Sequence, residues 1–166
     1  PQATPRLFSL TLSHRGAPNT QLQYVGSETA QGFSCKTAER SATLTFTRLG
    51  GQDISAVCTA SVSDSDPLVR WRIEVTFPHE LMLESIQFPT VTLRAPLHAD
   101  QQDQAVMAAT KGGVWPRPSQ WKEGTRVSRG QPGNLTAQFG CYYDAVCGLY
   151  LAAEDAQGYP KSYEFR

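Results

Sequence analysis

The stretch VRWRIEVTF, residues 69–77, alternates apolar and polar side chains without a break. Val69, Trp71, Ile73, Val75 and Phe77 fall on one side; Arg70, Arg72, Glu74 and Thr76 fall on the other. A helix, with its period of about 3.6, would scatter these residues around its axis. A strand with one dry and one wet face keeps them apart. The preceding stretches repeat the pattern. In ISAVCTASV, Ile54, Ala56, Cys58, Ala60 and Val62 share a face. ATLTFTRLG sets Leu44 and Phe46 among threonines and stops at Gly50-Gly51, and DSDP supplies a turn at residues 64–67. Residues 43–77 therefore read as a three-stranded antiparallel meander, the arrangement in which one sheet face stays solvated.

Weaker strand signals follow at about 20–25, 32–37, 85–94, 105–109, 135–143, 148–154 and 161–165. Only HELMLESI, residues 79–86, reads as a short helix. Many short strands with polar turns indicate an all-β fold with little helix, an antiparallel β-sandwich, jelly-roll-like, or a barrel. With 166 residues and no linker or internal repeat, the chain is expected to form one β-sandwich domain, 1–166.

Composition excludes several function classes. Fifteen Lys+Arg balance fifteen Asp+Glu, and no basic stripe appears, so neither nucleic acid nor an anionic membrane is an expected partner. No apolar run approaches the roughly 20 residues of a membrane helix. The opening PQATPRLFSL does not have the form of a secretion signal. Cys35, Cys58, Cys141 and Cys147 contain no Cys-x-x-Cys pair, so structural zinc is not expected. Cys141 and Cys147 flank YYDAV and have the spacing to bridge a hairpin; the alternative is that the thiols act as small apolar groups, as the alternation assigns to Cys58.

No catalytic constellation stands out. There is no Gly-x-Ser-x-Gly elbow, and His14, His79 and His98 are scattered. Asp64 with Asp66, and Asp100 with Asp103, offer carboxylates to a structural calcium, but two carboxylates do not fill a site that wants six to eight oxygens, so turn-forming acids are expected and no cofactor is. Glu154 and Asp155 are adjacent, and successive strand side chains point to opposite faces, so they do not flank one glycosidic bond. Asn134-Leu-Thr136 is a formal glycosylation sequon.

One segment stands outside the strand pattern. GGVWPRPSQWKEG, residues 112–124, holds two tryptophans in a stretch bracketed by Gly112, Gly113 and Gly124 and stiffened by Pro116 and Pro118, which is read as a loop. A flat indole suits the apolar face of a sugar ring, with polar neighbours for the hydroxyls. Trp115 and Trp121, with Arg117, Gln120 and Lys122 as donors, are the candidate carbohydrate-binding residues. The competing reading is that a loop tryptophan caps the end of the sandwich. Trp71 is expected in the core by its periodicity.

The C-terminal third, QPGNLTAQFGCYYDAVCGLYLAAEDAQGYPK (131–161), carries a family resemblance. Pro132, Gly133, Gln138, Phe139, Asp144, Gly148, Leu149, Tyr150, Asp155, Gly158 and Lys161 follow a pattern that resembles the N-terminal galactose-mutarotase-like β-supersandwich preceding the catalytic (β/α)8 barrel of a group of glycoside hydrolases. RWRIEVTFP and SIQFPTVTL fit more loosely, so the resemblance covers about residues 68–165 and leaves the first third unmatched. In such proteins the hydrolytic carboxylates lie on the barrel, so no catalytic residue carries over. The resemblance implies a carbohydrate setting, secreted or periplasmic, and a barrel domain in the same chain as one partner.

The residues of this segment read as a hairpin. Leu135, Ala137, Phe139, Cys141 and Tyr143 share one face, Leu149, Leu151 and Ala153 line the return strand, and Lys161 is placed to pair with Asp155. Three functions are open: a non-catalytic module that binds polysaccharide or oligosaccharide; an accessory domain packed on a glycoside hydrolase barrel, its loop tryptophans serving as interface anchors; and, least supported, a small sugar epimerase or lyase on a β scaffold.

Overall fold

The computed structural model describes residues 6–17, 21–93, 96–97, 102–110, 113–155 and 159–166. The chain is all-β, built from antiparallel sheets, and it divides into two compact units, Pro1–Thr92 and Leu93–Arg166. No helix among the described residues is long and apolar enough to cross a membrane.

The first unit is a sandwich of two sheets. One sheet has the order β2 (Gln23–Gly26), β1 (Ser9–His14), β7 (Leu81–Gln87). The other has the order β3 (Gly32–Ala38), β4 (Ser41–Thr47), β5 (Ser55–Ser63), β6 (Asp66–Thr76). The meander expected over 43–77 is β4–β5–β6, in register from Leu44 through Cys58 to Ile73. Leu10 and Leu12 of the first sheet, with Phe8 just before it, meet Phe46, Ala56 and Cys58 of the second, and Ile54, Leu49 and Leu81 complete the core. Phe8 and Phe46 cross edge to face at 5.2 Å.

Two expectations are corrected here. HELMLESI is not a helix: Leu81–Gln87 is a strand whose register against β1 runs from Leu81 opposite His14 to Gln87 opposite Ser9. Its Leu81 and Leu83 turn to the core, so burial in a sheet overrides helix propensity. Trp71 is not fully buried either; it is 41 % exposed and touches Phe88 edge to face at 6.1 Å. The cause is length. β6 runs for 11 residues, whereas the strands of the opposing sheet have four, six and seven, so the dry face of β6 outruns its cover.

The second unit contains a four-stranded sheet, order β12 (Gly148–Ala152), β11 (Leu135–Tyr143), β8 (Gln104–Ala109), β9 (Val114–Pro116), and a pair, β10 (Val127–Gln131) with β13 (Lys161–Phe165). The pair packs on the sheet at β11, where a Cβ at Gly140 would come into ordinary contact with Tyr163 and Phe165 of β13. The hairpin expected at β11–β12 is present: the Asp144 carboxylate accepts from the N–H groups of Val146 and Cys147 at 2.8 and 2.9 Å and pins the turn.

The face assigned to β11 is corrected in its second half. Leu135 is buried as expected, but beyond it Gly140 and Tyr142 are buried and Tyr143 is exposed. The pairing with β8 shifts register between Leu135 and Gly140: β11 advances five residues there while β8 advances two, and this odd excess exchanges the two faces of everything downstream. All four cysteines are free thiols; Cys58 is buried, and Cys35 and Cys147 are exposed. Burial pushes the Cys58 thiol up to about 11 and raises that of Cys141.

Candidate functional site

The segment holding Trp115 and Trp121 is more regular than a loop. Val114–Pro116 forms the edge strand β9, with Trp115 opposite Ala105 and Pro116 opposite Gln104. Proline is tolerated there because an edge strand has one side without ladder partners. Gly113 starts the strand against Met107, whose N–H donates to the Gly113 carbonyl at 2.9 Å. A Cβ at position 113 would overlap the Met107 carbonyl oxygen, so only glycine lets β8 and β9 approach this closely.

After Pro116 the chain turns sharply. Arg117 takes a left-handed conformation (φ 48°), and Pro118–Gln120 makes one 3-10 turn that ends with the Trp121 N–H donating to the Pro118 carbonyl at 3.1 Å. This turn is held from beneath by a buried carboxylate. Asp103, fully buried, accepts from the Ser119 N–H at 2.8 Å, the Ser119 hydroxyl at 2.6 Å and the Tyr142 hydroxyl at 2.9 Å. Its own carbonyl accepts from the Arg117 N–H at 2.7 Å. Burial alone would raise the Asp103 carboxyl; the bonds from Ser119 and Tyr142 outweigh it and hold the group below its ordinary value. Tyr142 is pushed up to about 12, by burial first and then by donating to Asp103.

The two tryptophans end in different environments. Trp115 is half-buried on β9, and the Arg129 guanidinium of β10 lies 5.0 Å from its ring centroid, a cation–π contact. Trp121, also half-buried, forms a wall of an open cleft of about 540 Å³. Pro118, Lys122, Glu123, Thr125, Arg126 and Arg166 line the rest of it with Gly124. Of the expected binding residues, the cleft brings together Trp121 and Lys122. Trp115, Arg117 and Gln120 are not among its lining residues; Arg117 and Gln120 are exposed on the turn beside it.

The cleft also contains two residues that sequence reasoning missed. Arg126 and Arg166 both bind Glu164, Arg126 through Nε at 2.9 Å to Oε2 and Arg166 through Nε to Oε1. Glu164 is largely buried, with 19 % of its side chain exposed, whereas the arginines are 63 % and 66 % exposed. One carboxylate thus orients two guanidinium groups beside the indole. Their only advance signal was the basic residues in WKEGTR, and nothing in the sequence tied those to Arg166.

The other sequence candidates are engaged elsewhere. Asp66 binds Arg70 and the Leu68 N–H, and Asp64 binds Arg40. Asp155 takes Lys161, as expected, with both side chains only 18 % exposed. Among the described residues no group of three or more His, Cys, Asp or Glu side chains gathers to hold a metal. Gly112, His98, Asp100 and Gly158 lie outside the described residues.

Comparison with known protein families, with curated proteins and with solved structures finds no match for this chain.

Proposed function

We propose that this protein is a non-catalytic carbohydrate-binding β-sandwich module associated with polysaccharide degradation. One observation carries the reading: Trp121 walls an open cleft ringed by Lys122, Arg126 and Arg166, on a turn fastened to a buried carboxylate. An indole presented this way needs little ordering when a sugar stacks on it, and the cationic side chains donate to hydroxyls or acid groups. The glycoside hydrolase context, with a catalytic barrel as neighbour and a secreted or periplasmic setting, rests on the resemblance at residues 131–161 and goes with this proposal.

Affinity gel retardation against a panel of neutral and acidic plant and microbial polysaccharides tests it. At least one glycan should retard the protein, and Trp121→Ala should weaken that binding about tenfold. The estimate takes roughly 60 Å² of indole face covered by sugar, worth about 1.5 kcal/mol. Trp115→Ala should cost less. If no glycan retards the protein, the accessory-domain reading, with Trp121 as an interface anchor, takes its place.

A further inference from the structure

β6 is an edge strand. Among the described residues its ladder partners all belong to β5, and its other side faces no strand. It is the longest strand among the described residues, at 11 residues, and beyond Pro67 it has no proline to blunt it. Long unblunted edges pair with other strands unless something prevents it.

The side chains of β6 select what it pairs with. In an antiparallel pair, directly opposite residues lie on the same face, so self-pairing must be centred on a residue. Centring on Ile73 sets Arg72 opposite Glu74 of the second copy, twice by symmetry. Both side chains stand in solvent on the wet face, 76 % and 63 % exposed, and at present reach each other at 3.0 Å within one strand. On the dry face the same register sets half-exposed Trp71 opposite Val75, an aromatic–β-branched pair. Centring on Arg72 or Glu74 would oppose a like-charged pair on the axis, and centring on Val69 would bring Pro67, which lacks an N–H, opposite Trp71. The other edge of this sheet, β3, offers no such choice: Lys36 is its only charged residue.

We infer that the β6 edge pairs with the β6 edge of a second copy of this chain, antiparallel and centred on Ile73, joining two four-stranded sheets into one of eight. A seven-residue ladder buries less than a standard interface of roughly 1,600 Å², so the dimer is weak and concentration-dependent. The inference is independent of carbohydrate binding.

Sedimentation equilibrium of the full chain between roughly 10 μM and 1 mM reads the association. Arg72→Glu and Glu74→Arg each place like charges opposite one another at both symmetric positions, and each should weaken self-association by about tenfold or more. An equimolar mixture of the two variants should associate, because each then meets the opposite charge. The double variant Arg72→Glu/Glu74→Arg should regain wild-type association. Circular dichroism identifies any variant that has lost its fold. A wild-type chain that stays monomeric throughout overturns the inference, as does association unaffected by the single changes or left unrestored in the double variant and the mixture.

Discussion

Replacing Asp103 with alanine is the sharpest perturbation the second unit offers. The carboxylate is fully buried and accepts three hydrogen bonds, two from Ser119 and one from Tyr142. Hydrogen bonds to a charged group contribute about 1.5–3 kcal/mol each. Relief from burying the charge offsets part of their sum, and each buried donor left without an acceptor costs about 1–3 kcal/mol, for a total of about 2–5 kcal/mol. Asp103→Ala leaves the Tyr142 hydroxyl and Ser119 N–H without an acceptor, so its cost belongs in that range. Tyr142→Phe and Ser119→Ala each remove one side-chain donor and should cost about 1–2 kcal/mol. Urea unfolding followed by tryptophan fluorescence measures these values. A Trp71→Phe background confines the signal to Trp115 and Trp121, both in the second unit. The Asp103→Ala protein should also show red-shifted Trp121 emission, because the turn that carries this ring loses its anchor. A cost below about 1 kcal/mol with unchanged emission would refute the view that Asp103 holds the site in place.

Four further outcomes follow from the same structure. Asp103 is held below its ordinary value, so its contribution to stability is full above the unfolded carboxylate range of about 4 and is lost as pH falls through its lowered value. Tyr142 is raised to about 12, so its contribution is full below the unfolded value of about 10 and is lost as pH rises towards 12; denaturation across pH should show these two losses reduced in Tyr142→Phe. In the native protein at pH 8, a thiol reagent should label exposed Cys35 and Cys147 quickly, Cys141 slowly, and Cys58 only on unfolding; fast labelling of four thiols would contradict the buried site. Gly113→Ala should cost about 3 kcal/mol or more by forcing β9 from β8, read as a drop in the unfolding midpoint.

What was legible in the sequence follows from how local each signal is. β4 and β5 are readable because one face of each packs on the core, and the alternation states that directly; β6 alternates as strictly although Val69 and Trp71 stay exposed where its apolar face outruns its cover. β1 and the residue before it carry the same signal in Phe8, Leu10 and Leu12, each fully buried, and stand outside the expected strands. β7 looked helical because Leu, Met and Glu favour helices; its strand form depends on β1, more than sixty residues earlier in the chain. The inward turn of Tyr142 depends on a register shift that no single-strand pattern records. The site divides in the same way. Trp121 and Lys122 were found because they are neighbours in a conspicuous segment. Arg126, Arg166 and Glu164 meet only through the pairing of β10 with β13, and Asp103 reaches Ser119 and Tyr142 across the fold.

In the proposed carbohydrate-binding module, Trp121 is the ring a sugar meets. The indole N–H signals of Trp71, Trp115 and Trp121 report this directly in a nitrogen–proton correlation spectrum, assigned by single Trp→Phe variants and titrated with oligosaccharides of the best-retained polysaccharide. The Trp121 signal should move in a saturable way while that of Trp71 stays fixed. Saturable binding that leaves Trp121 unmoved, or moves Trp71 instead, would contradict it.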